Sequence, residues 1–252
     1  MNGGKAAINL YPIIKNIKMK LRHICIIALL LVLFGSACKK SEIIDGGLSK
    51  EKIDLTTYDF LKSNPHQMFD TTLLIIDKAG MKDLINSAGT FFIPNDYVIT
   101  NFLNTKRDEA RKKNEKLNYN LDSLFKYFSP QMLRDSMGIY FFPERIVRDG
   151  LTSIGKSYQS STKGVALDVS LEEADQYTVD GIITNKPKYI YLNKIIGEKD
   201  VLNGLIKADP SGDPKLLDIK VLCQTSGIIT NTGVVHVLSN SHIWTFKPKV
   251  SN

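Results

Sequence analysis

The chain has 252 residues and 43% apolar content, enough to bury an ordinary core in one or two domains. Its formal charge of +7 is concentrated at the front. Residues 1–37 hold five of the 33 Lys and Arg side chains and no acid, so the remaining 28 basic and 26 acidic residues leave only +2. A near-neutral body argues against nucleic-acid binding, and three scattered cysteines (Cys25, Cys38 and Cys223) exclude a disulfide framework and a thiolate metal site.

Residues 1–22 are a basic leader with two possible starts, Met1 and Met19. Ile24 to Phe34 is an apolar run of 11 residues, too short to span a bilayer comfortably, and Gly35-Ser36-Ala37 leads to Cys38. A positive end, a short apolar core and small residues predict a secretory signal over 1–37. The cysteine after them resembles a bacterial lipobox, although Gly35 stands where a large aliphatic residue is usual. The resemblance implies that Cys38 is acylated and becomes the mature N-terminus. An ordinary cleaved signal or an uncleaved anchor are the alternatives. Residues 38–53, polar and carrying Gly46-Gly47, predict a flexible tether.

A globular domain is predicted over 54–248. Asp54 is expected to cap a short helix with Leu55, Tyr58 and Leu61, ended by Asn64-Pro65, and Asp70 a second helix stopped at Gly80. Thr90-Phe91-Phe92-Ile93 reads as a strand that Pro94 ends for want of an N–H. Asn95 or Asp96 then caps a helix carrying Val98, Ile99, Phe102 and Leu103. Lys106 to Lys116 has nine charged residues in eleven, which predicts a solvated helical extension with mixed-sign pairs. It marks one insertion, at about 104–120. Leu117, Leu121, Leu124, Phe125 and Phe128 share the face of a further, core-directed helix.

From Gly138 the pattern becomes short β runs: Ile139–Phe142, Leu151–Tyr158, Val165–Val169, Tyr177–Ile183 and Lys188–Ile196. A second insertion, 199–218, reads as a helix through Val201, Leu202, Leu205 and Ile206, then a loop, Ala208–Pro214. Asp209, Asp213 and Asp218 lack the spacing of a calcium-binding EF-hand loop. Ile219–Cys223, with Cys223 as a small buried residue, and Gly227–Thr230 lead to a turn at Asn231-Thr232-Gly233 and a buried strand, Val234 to Leu238. His236 alternates with Val235 and Val237, which points to a hydrogen-bonded structural histidine rather than a ligand or base. Helices early and strands late give an α+β fold.

The Thr90–Leu103 stretch resembles the T-x-F-x-P-x-N/D-x-A-F segment of the fasciclin-domain family, an adhesion module, and Thr230–Leu238 resembles its N-G-V-x-H-V segment. Thr71–Gly89 resembles the helix pair that precedes the first segment, Leu151–Gly155 a T-L-x-G step, and Ile243–Phe246 with Pro248 the closing strand and terminal proline. The resemblance implies a fasciclin-like β-sandwich or wedge with a cluster of helices from the N-terminal half. It marks Thr90, Phe92, Pro94, Asn95, Asp96, Tyr127, Asn231, Gly233 and His236 as motif positions with a structural role. Two departures stand out: Phe128 replaces the histidine of the family's Tyr-His pair after Tyr127, and Thr232 is inserted into the N-G turn.

No G-x-S-x-G, H-E-x-x-H, Walker or G-x-G-x-x-G pattern is present, so no catalytic, cofactor or metal residue is assigned. The expectation is a non-catalytic adhesion or ligand-binding lipoprotein, lipid-anchored to the outer membrane, with a protein or glycan ligand and no nucleic acid. Lipoproteins that accompany nutrient-uptake systems of Bacteroidota are similar. A glycan hydrolase using Asp/Glu pairs and a structural lipoprotein with only a protein partner are the alternatives. The ligand surface is expected on the insertions or around Tyr127.

Overall fold

The computed structural model describes residues 52–173, 187–203 and 206–247, with the backbone alone at 202–203 and 206–208. The leader, Cys38, most of the tether, the Tyr177–Ile183 strand and Pro248 lie outside the described residues. Lys52 and Ile53, the end of the expected tether, already join the sheet: Lys52 bridges Ile229, and the Ile53 N–H donates to the Ile229 carbonyl at 2.8 Å.

Three helices come first: α1 (Thr57–Lys62), α2 (Asp70–Lys78) and α3 (Lys82–Ile85). The expected caps are redistributed. Thr56, not Asp54, caps α1 by accepting the Asp59 N–H. The residue before α2 is Phe69, which has no side-chain cap; the carboxylate of Asp96 takes the Thr71 and Thr72 N–H groups instead, each at 3.0 Å. Strand β1 (Thr90–Ile93) follows, then α4 (Asp96–Lys113), capped by Asn95 through the Val98 N–H. Asn95 and Asp96 thus cap two different helices and lock them to the strand end. The charged stretch forms the last turns of α4, where Glu109 pairs with Lys106 at 3.4 Å and with Lys247 at 2.9 Å.

Helix α5 is shorter than the spacing suggests, Leu121–Tyr127, because Asn120 and Ser123 form a capping box that starts it late and leaves Leu117 outside and exposed. Helix α6 (Pro130–Gly138) occupies the stretch before the expected β region, with Ser129 as N-cap and Pro130 in its first turn. It shortens the strand expected at Ile139–Phe142 to β2 (Phe141–Phe142). Strand β3 (Lys156–Gln159) keeps only the end of the run expected at Leu151–Tyr158, because the chain turns at Gly155 with φ +78°; β4 (Ala166–Glu173) runs four residues past Val169, and β5 (Lys188–Lys194) matches its predicted run apart from the end.

The helix expected at 201–206 is a hairpin, β6 (Val201–Asn203) paired with β7 (Ile206–Ala208). Four apolar residues at helical spacing are too few to fix a helix, and here Val201 pairs with Ala208 and Asn203 with Ile206. Strand β8 (Ile219–Ile229) merges the two runs expected there, and β9 (Val234–Leu238) is as predicted. The expected closing strand is instead a 3-10 turn, Trp244–Phe246, because Thr245 and Phe246 take left-handed φ values of 65° and 55°. The Tyr140 hydroxyl, which accepts the Thr245 N–H at 2.8 Å, stabilises it.

Among the described residues seven strands form one mixed sheet in the order β2-β1-β9-β8-β5-β4-β3; β1 and β9 run parallel and the other neighbouring strands antiparallel. Both are buried on both faces. At the other end of the sheet only one face enters the core, with Leu167, Val169, Ile190, Leu192 and Val221. The fold is α+β: the helices supply Ile76, Ile99 and Phe102 to the same core that holds Phe91, Phe92 and Trp244. No described helix is long and apolar enough to cross a membrane.

Candidate functional site

The motif positions meet at the centre of the sheet. The register sets Thr90 beside Val234 and Phe92 beside His236. Thr90 Oγ1 donates to the Glu144 carbonyl at 2.8 Å and accepts the Ile146 N–H at 2.7 Å, which pins the loop after β2. Phe92 stacks on the His236 ring at 4.7 Å and meets Phe142 edge-on. The Pro94 carbonyl accepts the Thr72 hydroxyl, and Asn95 Nδ2 donates to the Leu238 carbonyl and to Asn240.

His236 is fully buried. A bulge in β8 turns the Gly227 N–H onto its Nδ1 at 3.1 Å, and its Nε2 lies 3.0 Å from the Ile146 carbonyl. These partners assign the proton to Nε2, which donates to Ile146. Burial holds its pKa down at about 4, only partly offset by the Ile146 bond. Such a histidine braces two backbone segments.

The turn before β9 is equally committed. Asn231 Nδ2 donates to Asp54, and its backbone N–H to Leu55. A Cβ on Gly233 would lie 2.8 Å from the Gly89 carbonyl oxygen, so the strands approach there only because glycine has none. The inserted Thr232 accepts the Thr57 N–H at 2.9 Å and docks the start of α1. Tyr127 is exposed at the end of α5 and stacks on Tyr119 at 6.2 Å. Phe128, in place of the histidine, turns inward against Phe102 and Trp244. None of these groups forms a nucleophile–base pair.

The polar cleft lies elsewhere, on the outer face of β4, β5 and β8. The register lines up Asp168, Asn193 and Lys220 across the three strands, and Ser170 and Glu172 follow on the same face of β4. Outward polar residues normally meet water, yet Asp168, Ser170 and Asn193 are buried. The second insertion and the Ser153–Gly155 turn cover them. Lys199 binds both the Asp168 carboxylate and the Ile154 carbonyl, and Gly155, at φ +78°, sits over Ser170.

A cavity of about 310 Å³ remains between cover and sheet, lined by polar groups with Ile154, Ile195 and Val201 among them. Inside it, Asn193 Nδ2 donates to Ser170, whose hydroxyl donates to Glu172, which also binds Lys220. Asp200 and Asp218 brace each other: each accepts the other's backbone N–H, and Asp218 also accepts the Ile196 N–H. Two buried oxygens have no partner, Asn193 Oδ1 and Asp200 Oδ1. Asn193 itself is only 6% exposed.

Residue types alone could not disclose this cleft, because alternation on β4 and β5 reads as an ordinary solvated face. The carboxylates considered for calcium serve the backbone: Asp209 accepts Ser211, Asp213 caps Lys215, and Asp218 braces Ile196 and Asp200. Among the described residues no group of three His, Cys, Asp or Glu side chains is placed to hold a metal ion.

No family model and no curated protein matches the chain. Among solved structures it is similar to a FAS1 domain pair from the insect cell adhesion molecule fasciclin I. The TM-score is 0.42 and the identity 14%, over 73% of this chain and 49% of that one. The chain thus spans about half the length of the solved structure it matches.

Proposed function

We propose that the chain is a non-catalytic adhesion or ligand-binding module of the fasciclin type, its sheet and helices forming that family's wedge. It is anchored to the outer membrane through a lipid on Cys38, as an accessory to a glycan or nutrient uptake system. The observation that carries the family reading is the in-register pairing of Thr90–Ile93 with Val234–Val237, the two motif segments, as adjacent parallel strands. The motif residues are used up in holding that junction, so ligand contact falls to the outer-face cleft.

A hydrolase reading has the carboxylates of the cleft in its favour, but paired-carboxylate chemistry needs two groups offered to the substrate. Both Asp218 oxygens hold backbone N–H groups, and Glu172 is bound to Lys220 and Ser170. Asp200 is the cleft carboxylate with an unpartnered oxygen.

For the anchor, Cys38→Ala in the full chain is expected to abolish palmitate labelling and move the protein from the membrane to the soluble fraction. Unchanged membrane retention refutes the lipid anchor. For the absence of catalysis, release of reducing ends from an oligosaccharide panel refutes the binding-module reading.

A further inference from the structure

Helix α4 runs on past its own packing. Its buried residues, Val98, Ile99, Phe102 and Thr105, all fall in the first ten of its 18 positions. Residues 111–118 are then exposed without a break, through the last turn and into the loop before α5. A helix end that buries nothing draws no stability from the core, and a partner outside the fold would supply it.

Two features set this tip apart. The first is charge. Residues 110–127 hold five basic side chains (Arg111, Lys112, Lys113, Lys116 and Lys126) and two acidic ones, Glu115 and Asp122. The rest of residues 38–252 holds 23 basic and 24 acidic residues, so the whole positive excess of the body lies here. Among the described residues Arg111, Lys113 and Lys116 make no ion pair, and Glu109, two residues before Arg111, is taken by Lys106 and Lys247. The second feature is apolar surface. Leu117 is 44% exposed and Tyr127 62%, and Tyr127 lies nearly parallel to Tyr119 with ring centres 6.2 Å apart. Lys126 Nζ stands 5.8 Å from the Tyr127 ring.

Cations alone would suit any polyanion, and the apolar groups decide between them. A nucleic-acid strand stacks its bases on open aromatic faces, whereas Tyr119 already covers one face of Tyr127. A lipid surface asks for less geometry. It takes cations at the level of the phosphates, tyrosines among the headgroups and an aliphatic side chain at the acyl boundary. Leu117 and the tyrosine pair, interleaved in sequence with the cations, supply all three.

We propose that this tip, formed by the end of α4, the loop to α5 and Tyr127, docks on an anionic phospholipid surface. Leu117 and Tyr127 enter the headgroup region and the basic side chains meet the phosphates. The contact is additional to the lipid proposed on Cys38, and it fixes which face of the domain meets the bilayer. A tether of residues 38–51 extends to about 50 Å, longer than the roughly 40 Å width of a domain of this size, so such an anchor leaves the tip within reach.

The test is Tyr127→Trp in the full chain, mixed with vesicles of brominated phosphatidylcholine, alone or with an equal amount of phosphatidylglycerol. The one native tryptophan, Trp244, is fully buried and gives a constant background. Bromine quenches only an indole that enters the acyl region, so the leader's own affinity for vesicles stays out of the signal. The new indole should be quenched and blue-shifted by the mixed vesicles, unresponsive to phosphatidylcholine alone, and released by raised salt. Lys113→Gln and Lys116→Gln should each weaken docking about fivefold, at an unchanged melting temperature because both side chains are exposed. Ile154→Trp, at an exposed position in the turn over the outer-face cleft, should stay unquenched in the same vesicles. If Tyr127→Trp disturbs the stacked pair, Leu117→Trp carries the same expectation.

No response at either position, an equal response to both kinds of vesicle, or equal quenching of Ile154→Trp overturns the inference. So does a response that the lysine variants leave unchanged. Capture of an acidic envelope protein by the tip, lost in the lysine variants while vesicles give no response, makes it a protein interface and also overturns it. The lipid on Cys38 is read separately by palmitate labelling, and none of these failures touches it.

Discussion

His236 is held neutral by its surroundings, and that makes it a source of acid lability. Its pKa falls from 6.5 in the unfolded chain to about 4 in the fold, so the unfolded state takes up a proton first. Its contribution is fully present above pH 6.5 and is lost as pH falls towards 4. The loss amounts to roughly 3 kcal/mol. His242, buried beside the Tyr140 hydroxyl at 2.8 Å and lowered to about 3, adds to the same slope. Urea denaturation at pH 7, 5.5 and 4.5 should show stability falling throughout. His236→Leu should be less stable at pH 7, because Gly227 N–H and the Ile146 carbonyl lose their partner, but should show a shallower pH slope. An unchanged slope would exclude His236 as its source. The structural role of His236 was legible in the alternation of Val235, His236 and Val237. The role of Asn193 was not, since its burial depends on a cover that begins at Lys199 and on a turn that ends at Gly155.

At the scale of elements, the junction after β1 does more than end a strand. Asn95 starts α4 while Asp96, one residue on, caps α2 from a distance of 24 residues in sequence. Asp96→Ala should therefore destabilise a helix that does not contain it. Losing a cap of this kind costs about 1–2 kcal/mol, or a melting temperature lower by about 3–6 °C. Asp96→Asn, which keeps one acceptor, should lose less; equal losses would show that α2 does not depend on this carboxylate. Neighbouring residues revealed both candidate caps, but the partner of Asp96 is tertiary and no local pattern encodes it. Helix α6 went unread because only Leu133 and Met137 mark its buried face, although Ser129-Pro130 supplied a start signal. The β6–β7 hairpin shows the converse error, where four apolar residues at helical spacing were read as a helix.

At the scale of the whole molecule, the resemblance of two short segments located the centre of the sheet, where they pair as parallel strands. The helices-then-strands order was likewise readable, because period 3.6 gives way to period 2 after α6. The outer-face cleft was not, since it arises from an insertion folding back on strands whose own pattern is ordinary. The central parallel pair also has a temporal meaning. About 140 residues separate Thr90 from the Val234 it lies beside, and closing so long a loop is entropically costly before any contact rewards it. On a growing chain β1 is made early, with both faces apolar, and must wait for β9 before it has its inner neighbour. A chain stopped after Thr232 should lack cooperative unfolding by circular dichroism and be cleaved rapidly by protease, whereas the full chain resists; protection of the shortened chain would refute this dependence. The centre of the sheet is therefore complete only once β9 has been made, more than a hundred residues after β1.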